Sequence, residues 1–459
     1  MPTTTTPSRL SHPGCLGALA LALALGACAA GSPPVPQAAT TSAASSAANP
    51  LAQWWQRFND PLLGTLVAQA LQANTSIRSA QAALQQSRAL RDVSAAGLLP
   101  TLSASGSAQR GRANGQDASN SFRAGLDASW EPDIFGGQRS GLNAAEADAQ
   151  ALQATLADVQ VSVAAEVALA YVQLRGQQAQ LAIARNNFKS QQETLQITDW
   201  RAQAGLVTSL EVEQARTASE QTSAQIPVLE AGIAKTSHSL AVLTGQRPEA
   251  LLAQLQQARP IPQPSADLAL DIPAQTLRQR PDVRAAELCI SAALSRVSVA
   301  DAARYPGFAI GGSLGLNALT LGALGNSAAL VSNLLASLSI PLFDGGARRA
   351  QVLAQEAALE QARANYQTVV LGALQDVADA LAALSGDRSR LTHLQGAAAA
   401  AANADLLAQQ RYSSGLIDFQ TVLQTQRTLL TAQDSVASST ADISADHVRL
   451  YKALGGGWN

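Results

Sequence analysis

The sequence contains few of the residues on which catalytic centres and compact globular cores depend. Among its 459 residues are 3 cysteines, 4 histidines and 1 methionine, with only 4% aromatic and 14% charged residues and a formal net charge of −2. A charge so close to zero argues against binding to nucleic acid or to an acidic membrane surface. The scarcity of aromatic residues argues against compact aromatic-centred cores. The 47% apolar fraction is carried mainly by Ala and Leu, a composition typical of helices.

The first 28 residues have the pattern of an export signal. Arg9 precedes an uncharged run at 15–27, which is too short to cross a bilayer but suits the apolar part of a signal peptide. The run ends in the sequence LGAC, which resembles the lipobox of bacterial lipoproteins. We predict that residues 1–27 are removed as a signal peptide and that Cys28 becomes a lipid-modified N-terminus. An ordinary signal peptide with an incidental cysteine is the alternative.

A flexible tether is predicted at 28–50, where Ala, Ser, Thr and Pro are too simple a composition for a packed core. By analogy with bacterial sorting rules, Ala29 rather than Asp after the cysteine favours the outer membrane. Since Cys15 leaves with the signal, acylation of Cys28 excludes an intrachain disulfide. Cys289, which lies in an apolar segment, is then predicted to be a small buried hydrophobe.

No arrangement typical of an enzyme is present in the sequence. Beyond His12 in the signal, His238, His393 and His447 share no metal-ligand spacing with one another or with cysteine. There is no phosphate-cradling glycine loop and no nucleophile elbow. The glycines at 311–325 suit strand and loop better than a dinucleotide-binding turn. We therefore predict no catalytic residue, no metal and no cofactor.

Two halves of the chain repeat the same order of features. The folded part begins with Trp54, Trp55 and Phe58, which can anchor the chain, and with Asp60-Pro61, which starts a helix. Each half then has a helix, a proline, strands, a Pro-then-Gly-Gly sequence, a very long helix, a glycine turn and a long helix. The segments that align are 77–100 with 283–306, 130–139 with 339–348, and 204–216 with 414–426.

The Pro-then-Gly-Gly sequences predict corners at which a strand that leaves the membrane continues into a long helix. Pro100 and Pro306 mark the opposite change, from helix into strand. The predicted corner residues are Pro132, Gly136 and Gly137 in the first half and Pro341, Gly345 and Gly346 in the second.

Alternating polar and apolar residues predict four strands, with outer loops at 111–120 and 317–332. One face of each strand is apolar and the other is mainly polar, although Leu335 interrupts the polar face. This pattern suits the wall of a transmembrane β-barrel, and soluble hairpins packed on helices are the alternative. The strand segments are 101–109, 122–130, 308–316 and 333–341.

Four strands leave two open edges, and no barrel closes with fewer than about eight strands. The chain must then oligomerise for the sheet to close. Two copies would give eight strands around a core filled with side chains, whereas three would give twelve strands around a pore.

Long stretches without proline predict two nearly continuous helices at about 139–203 and 347–413. Apolar residues recur in each helix every seven residues, which is the period of a packing seam between helices. Gly205 and Gly415 are predicted to end these helices in the left-handed conformation, before return helices in which Pro227 makes a kink or a break. The apolar rows are Val167, Leu174, Leu181, Phe188 and Leu195, then Val370, Val377, Leu384 and Leu391.

Four motifs carry a family resemblance. They are WWQRFNDPLLGTLVAQALQAN at 54–74, RQRPDVRAAE at 278–287, SIPLFDGGARR at 339–349 and RYSSGLIDFQTVLQTQ at 411–426. With the lipobox they resemble the TolC family of outer-membrane efflux channels, and most of all its NodT-type lipoprotein branch, which serves drug-efflux pumps of the resistance-nodulation-division class. The resemblance covers nearly everything from residue 51 onward.

The resemblance implies a mainly α fold with a transmembrane β part. Three chains would form a twelve-stranded β-barrel in the outer membrane of a Gram-negative bacterium, continuous with a twelve-helix barrel across the periplasm. It implies an exit duct for drugs or other small toxic solutes, with a periplasmic adaptor protein and an inner-membrane proton-driven pump as partners. A duct for protein secretion or for metal efflux is an alternative, and a periplasmic coiled-coil lipoprotein without a pore is another.

The motifs divide the chain into nine segments. They are a signal peptide 1–27, a lipidated tether 28–50, N-terminal helices 51–100, a first β-hairpin 101–132, a first long helical hairpin 133–250, a linker 251–280, a helix 281–306, a second β-hairpin 307–342, and a second helical hairpin with the C-terminus 343–459.

The resemblance also implies a periplasmic entrance just after the two glycine turns. The paired aspartates of the best-known member of the family are missing, and Ile417 stands where a basic partner is expected. Three copies of Glu211 near one axis would still attract cations; the alternative is that Glu211 and Asp418 are solvated residues. The implied gate residues are Glu211, Gln214, Tyr412, Thr421 and Gln424, and the implied adaptor contacts are Gly205, Leu206, Gly415 and Leu416.

Overall fold

The computed structural model of the chain describes residues 53–112, 117–264 and 279–456. The predicted signal peptide and tether, Cys28 included, lie outside the described residues, as do residues 265–278 of the predicted linker between the two halves.

The described chain consists mainly of helices, with four strands. Each half has a helix that leads into two strands, followed by a helix of 67 residues and one of 35. The predicted duplicated, mainly α architecture is therefore confirmed. In chain order the elements are α1 Pro61–Ala73, α2 Thr75–Ala96, β1 Thr101–Gly111, β2 Ser119–Trp130, α3 Gly137–Gln203, α4 Ser209–Leu243, α5 Leu252–Leu255, α6 Pro281–Ala302, β3 Gly307–Ala318, β4 Leu330–Ser339, α7 Ala347–Ser413 and α8 Phe419–Ala453.

An aromatic cluster holds the start of the chain, contrary to the expectation from composition. Trp54 is fully buried and stacks on Tyr451 of α8 with 5.3 Å between ring centroids. Trp55 and Phe58 are also buried and pack edge-on against Trp54. The few aromatic residues are concentrated at one level of the molecule, so that a chain poor in aromatics still has an aromatic-centred core there.

A half-buried carboxylate begins α1 and ties it to α3. Asp60 caps α1, because its Oδ1 accepts hydrogen bonds from the backbone N–H groups of Leu62 and Leu63 at 2.9 and 3.2 Å. Its second oxygen accepts a hydrogen bond from the hydroxyl of Tyr171 on α3 at 2.6 Å. The predicted helix start at Asp60-Pro61 is thus also a tertiary contact.

The four strands form one antiparallel sheet in the order β1-β2-β3-β4. The two hairpins join through β2 and β3, where Leu126 is the neighbour of Leu314. Within the described chain β1 and β4 each have a strand neighbour on one side only. Both edges of the sheet are therefore open, as the sequence predicts.

The register places the apolar residues of all four strands on one face of the sheet. Leu102 and Leu334 on this face are 71% and 81% exposed, so that the face needs an apolar environment. The opposite face is mostly Ser, Thr, Asn and Gly; Arg123 and Asp127 are its charged residues, and Leu335 and Val331 are its larger apolar ones. The larger apolar side chains are Leu102, Phe122, Leu126, Trp130, Phe308, Ile310, Leu314, Leu316, Leu330, Leu334 and Leu338.

The long helices pack in antiparallel pairs, α3 with α4 and α7 with α8, and α3 also packs on α8. At about 1.5 Å per residue, each 67-residue helix spans roughly 100 Å. The predicted seam is present, since Val167 and Leu174 are fully buried and Leu384 is 3% exposed. Pro227 lies inside α4 without ending it, because it is on the exposed side, where water can solvate the carbonyl group that loses its partner.

The prediction that Cys289 is a buried hydrophobe is wrong. Cys289 is a free, exposed cysteine in the first half of α6. The small residues Ala292, Ala293 and Ala300 form the buried side of this helix instead. The apolar residues around Cys289 are therefore more numerous than one face of the helix can bury within a single chain.

Candidate functional site

Two exposed turns form the tips of the helical hairpins, at the end of the molecule far from the sheet. Gly205 and Gly415 have φ values of +72° and +71°, the left-handed conformation that glycine adopts without strain. In each turn the next residue donates its backbone N–H back to the helix, Leu206 to Arg201 at 2.8 Å and Leu416 to Arg411 at 2.9 Å. Both leucine side chains are 73% exposed. The two halves thus present matching apolar tips.

A tyrosine links the two tips. The hydroxyl of Tyr412 on α7 lies 3.5 Å from Oε2 of Glu211 on α4. The guanidinium of Arg201 stands over the Tyr412 ring at 4.8 Å from its centroid, and burial is the largest cause that raises the pKa of the hydroxyl. Tyr412 also packs on the buried Phe419. Sequence reasoning missed Arg201, although Arg201 and Arg411 stand at the same distance before the two turn glycines.

The other implied gate residues divide into two groups. Gln214 and Gln424 line a cleft of about 310 Å³ between α4 and α8, together with Arg427. Thr421 instead stabilises the start of α8, since its backbone N–H and hydroxyl donate to Asp418 at 2.8 and 2.6 Å. The structure thus brings Glu211 to Tyr412, places Gln214 and Gln424 along one cleft, and places Thr421 at a helix cap.

Polar contacts continue between the helices above the tips. Gln426 on α8 donates to the hydroxyl oxygen of Thr194 on α3 at 3.1 Å. Asp405 on α7 accepts hydrogen bonds from Thr425 at 3.3 Å and from Gln409 at 2.8 Å. These links were not predicted, because a single polar residue in a helix carries no signal of which neighbouring helix it meets.

The two corners turn the strands into the long helices with related but unequal geometry. At the first corner Gly136 has a φ of +76° and caps α3, which begins at Gly137. At the second corner Gly345 and Gly346 both have positive φ, and α7 begins one residue later. The alignment of the sequences therefore differs from the structural match by one residue.

At both corners an aspartate accepts hydrogen bonds from backbone N–H groups at the start of the long helix. Asp133 accepts hydrogen bonds from the backbone N–H groups of Gln138 and Arg139 at 3.1 and 2.8 Å. Asp344 accepts from Gly346 and Arg348 at 2.9 and 3.1 Å. Each carboxylate satisfies N–H groups that the first helical turn leaves without partners, so the direction of each long helix is fixed relative to its strand. Pro132 and Pro341 precede these turns.

Aromatic rings gather where the sheet meets the helices. Phe135 stacks on Tyr305 at 4.9 Å and on Phe308 at 6.5 Å between centroids. Trp130 donates its indole N–H to the carbonyl of Leu98 at 3.1 Å, and Phe343 is 93% exposed. Such rings flank the apolar band of transmembrane barrels, which marks this level as the boundary between membrane and water.

A charged cavity of about 400 Å³ lies between α3, α7 and α8 at the start of α6. Arg280 is 8% exposed there and bonds Asp282 at 2.8 Å, Asp376 at 3.1 Å and the carbonyl of Ala453 at 2.9 Å. One arginine thus holds the beginning of α6 against both helices of the second hairpin. No cluster of His, Cys, Asp and Glu with a metal-binding arrangement occurs among the described residues.

The burial of His447 on α8 predicts that the protein loses stability in acid. The side chain is 5% exposed and its Nε2 is 3.2 Å from Nη2 of Arg388; burial, and then Arg388, lower the pKa of His447 to about 4. Below pH 6.5 the unfolded chain protonates first, so this contribution to stability falls as the pH drops towards 4. Thermal unfolding followed by circular dichroism between pH 7 and 4 should show a smaller decrease for His447→Gln. An equal decrease in both proteins would contradict the assignment to His447.

An amphipathic antiparallel sheet that continues into helices of roughly 100 Å defines a class of protein, the outer-membrane channel proteins. In this class the strands enter the membrane and the helices extend away from it.

The comparisons with known proteins agree with this class. The profile described as "Outer membrane efflux protein" matches residues 66–246 and 272–456, and the chain belongs to this family. It is 32% identical to the pyoverdine export outer membrane protein OpmQ of Pseudomonas aeruginosa over 96% of this chain and 97% of that protein. It is 30% identical to the toluene efflux pump outer membrane protein TtgF of Pseudomonas putida over 88% and 85%.

Solved structures show the same likeness. The outer-membrane channel OprN superposes with a TM-score of 0.84 at 36% identity, over 88% of this chain and 92% of that one. The predicted family, fold class and outer-membrane location are thereby confirmed. The chain is an outer-membrane efflux protein, the outer-membrane component of an efflux pump, and its family is a channel family rather than an enzyme class.

Proposed function

We propose that three copies of the chain close into a passive exit duct for drugs or other small toxic solutes. The observation that carries this proposal is the four-stranded sheet with one apolar face and two open edges. Strand directions alternate across the sheet, so β4 of one copy can pair with β1 of the next in the antiparallel sense. Three copies give twelve strands, enough for a pore, and twelve long helices below it.

The energy for transport comes in this proposal from a proton-driven pump in the inner membrane. A periplasmic adaptor protein would contact the tips at Gly205, Leu206, Gly415 and Leu416, whose exposed leucines offer apolar contacts. Relatives named for pyoverdine export and toluene efflux support small solutes rather than proteins as cargo. Acylation of Cys28 would add a lipid anchor to the barrel.

The assembly is tested by native mass spectrometry of protein extracted from membranes with detergent. We expect an acylated chain that starts at Cys28 and forms a trimer, and expression in an efflux-deficient host together with its pump should restore drug tolerance. A monomer that stays in solution without detergent would contradict the duct and favour the coiled-coil tether.

The contact between Glu211 and Tyr412 is proposed to hold the periplasmic entrance closed. It joins the two hairpin tips of one chain, with Arg201 packed on the same ring, so that its loss frees one tip from the other. Glu211→Ala should raise the leak conductance of the duct in planar bilayers by a factor of about 2 or more, because a single polar link contributes about 1 kcal/mol.

Glu213→Ala provides the matched control. Glu213 is on the same helix, but its ion pair at 2.9 Å is with Arg216 of that helix and does not join the two tips. Leak conductance should therefore stay at the wild-type value. Equal conductance in the wild type and in Glu211→Ala would remove Glu211 from the gate.

A further inference from the structure

Charged residues are rare in the four described strands, and they are not distributed evenly between the faces of the sheet. Arg110, Arg123 and Asp127 are the three that these strands contain. Arg110 is on the apolar face at the outer end of β1, where it neighbours Asn120. Arg123 and Asp127 are both on the polar face of β2, about 13 Å apart along the strand. The face that would line the duct thus carries one cation and one anion per chain.

A recess whose floor is formed by two glycines separates these two charges. Gly125 lies between them on the same face and is the direct neighbour of Gly315 on β3. The backbones approach so closely that a Cβ on Gly315 would be 2.9 Å from the carbonyl oxygen of Ala124 and 3.0 Å from Cα of Gly125. No larger residue fits at Gly315 without displacing backbone, so the floor of the recess stays bare.

The recess measures about 420 Å³, and Arg123 and Asp127 both line it. Asp127 is held in place, since Ser105 donates a hydrogen bond to its Oδ2 at 2.8 Å. Arg123 forms no ion pair with any described residue, and its register neighbours Ser107 and Asn317 are uncharged. The cation is therefore available to a passing solute, whereas the anion is fixed in position.

We propose that Arg123 and Asp127 are the charge filter of the duct, and that the recess between them accommodates small solutes that carry both charges. The inference rests on the proposed duct. In a trimer the three Arg123 residues form a cationic ring and the three Asp127 residues an anionic ring nearer the periplasm. Charge rings of this kind set the ion preference of a pore, and the bare floor leaves room for the uncharged body of the solute.

The filter is tested by the reversal potential of single channels in a gradient of KCl. Between 0.01 and 0.1 M salt the Debye length is about 30 to 10 Å, so that charges on the wall act across the pore. Arg123→Gln should raise the ratio of potassium to chloride permeability by about twofold or more, and Asp127→Asn should lower it by a similar factor. Native mass spectrometry should show that every variant remains a trimer.

Arg110→Gln is the matched control, because it removes the same charge from the face of the sheet that points away from the lumen. Its permeability ratio should equal that of the wild type. Unchanged ratios in Arg123→Gln and Asp127→Asn, or an equal shift in Arg110→Gln, would overturn the filter while leaving the duct intact. Failure of the wild-type chain to form a trimer would instead overturn the duct, and the filter with it.

Discussion

Arginine in place of Leu314 should prevent the protein from assembling in the outer membrane. Leu314 is on the apolar face of β3, beside Leu126 of β2, and it is 52% exposed in the single chain. A charged residue on the lipid side of a barrel costs about 2–4 kcal/mol near the middle of the bilayer. Because a trimer would carry three such residues, the cost approaches the whole stability of an ordinary domain. The amount of trimer in outer-membrane fractions, measured by native electrophoresis and immunoblotting, should fall severalfold or more.

Ser313→Arg is the control for this change. Ser313 precedes Leu314 in the same strand but points to the opposite face, where it is the neighbour of Asp127 and Asn333. An arginine there would meet polar groups and water in the lumen, so assembly should continue. Trimer at the wild-type level in Leu314→Arg would show that this face does not contact lipid.

Removal of the Arg175 guanidinium should cause the largest loss of stability in the helical part of the protein. The side chain is fully buried and donates to Gln178 at 2.6 Å, to the carbonyl of Gln257 at 2.8 Å and to the Tyr171 hydroxyl at 3.1 Å. Through Tyr171 it reaches Asp60. One arginine thus fixes α3 to the segment that follows α5 and to the start of α1.

Arg175→Met keeps the volume but leaves those acceptors buried without a donor. Breaking a buried charged network in this way costs about 3–5 kcal/mol, so thermal unfolding of the detergent-solubilised trimer should occur at a clearly lower temperature. Arg185→Met is the comparison on the same helix, since Arg185 and its partner Glu230 are both exposed and such a pair contributes about 1 kcal/mol or less. Equal midpoints for the two variants would contradict the structural role of Arg175.

Regular periodicity explains which features the sequence predicted. The heptad row through Val167 and Leu174 and the alternation in the strands depend only on the period of each element, and the structure has both. Duplication strengthened these predictions, because each pattern occurs twice. The glycines of the two hairpin turns were predictable for the same reason, since their positive φ is a local property of the backbone.

Contacts between distant segments account for the errors and omissions. The stacking of Trp54 on Tyr451 joins opposite ends of the chain, so composition alone gave the wrong expectation about aromatic cores. The position of Arg201 over Tyr412 depends on how two hairpins pack. Cys289 was assigned to the core from its apolar neighbours, but the rotation of α6 places it on the outside. The roles of the gate residues and the acylation of Cys28 stay predictions.

The open edges of the sheet make folding of this protein inseparable from the meeting of several copies. A lone chain exposes two rows of backbone N–H and C=O groups that no lipid can satisfy, together with an apolar face that no water solvates well. Pairing with another copy of the chain satisfies these groups best. A strand of an unrelated protein offers the same backbone groups, so it can pair wrongly with the open edges. The stability of the wall is then a function of protomer concentration, and slow synthesis would prolong the interval in which a single chain is open to aggregation and proteolysis.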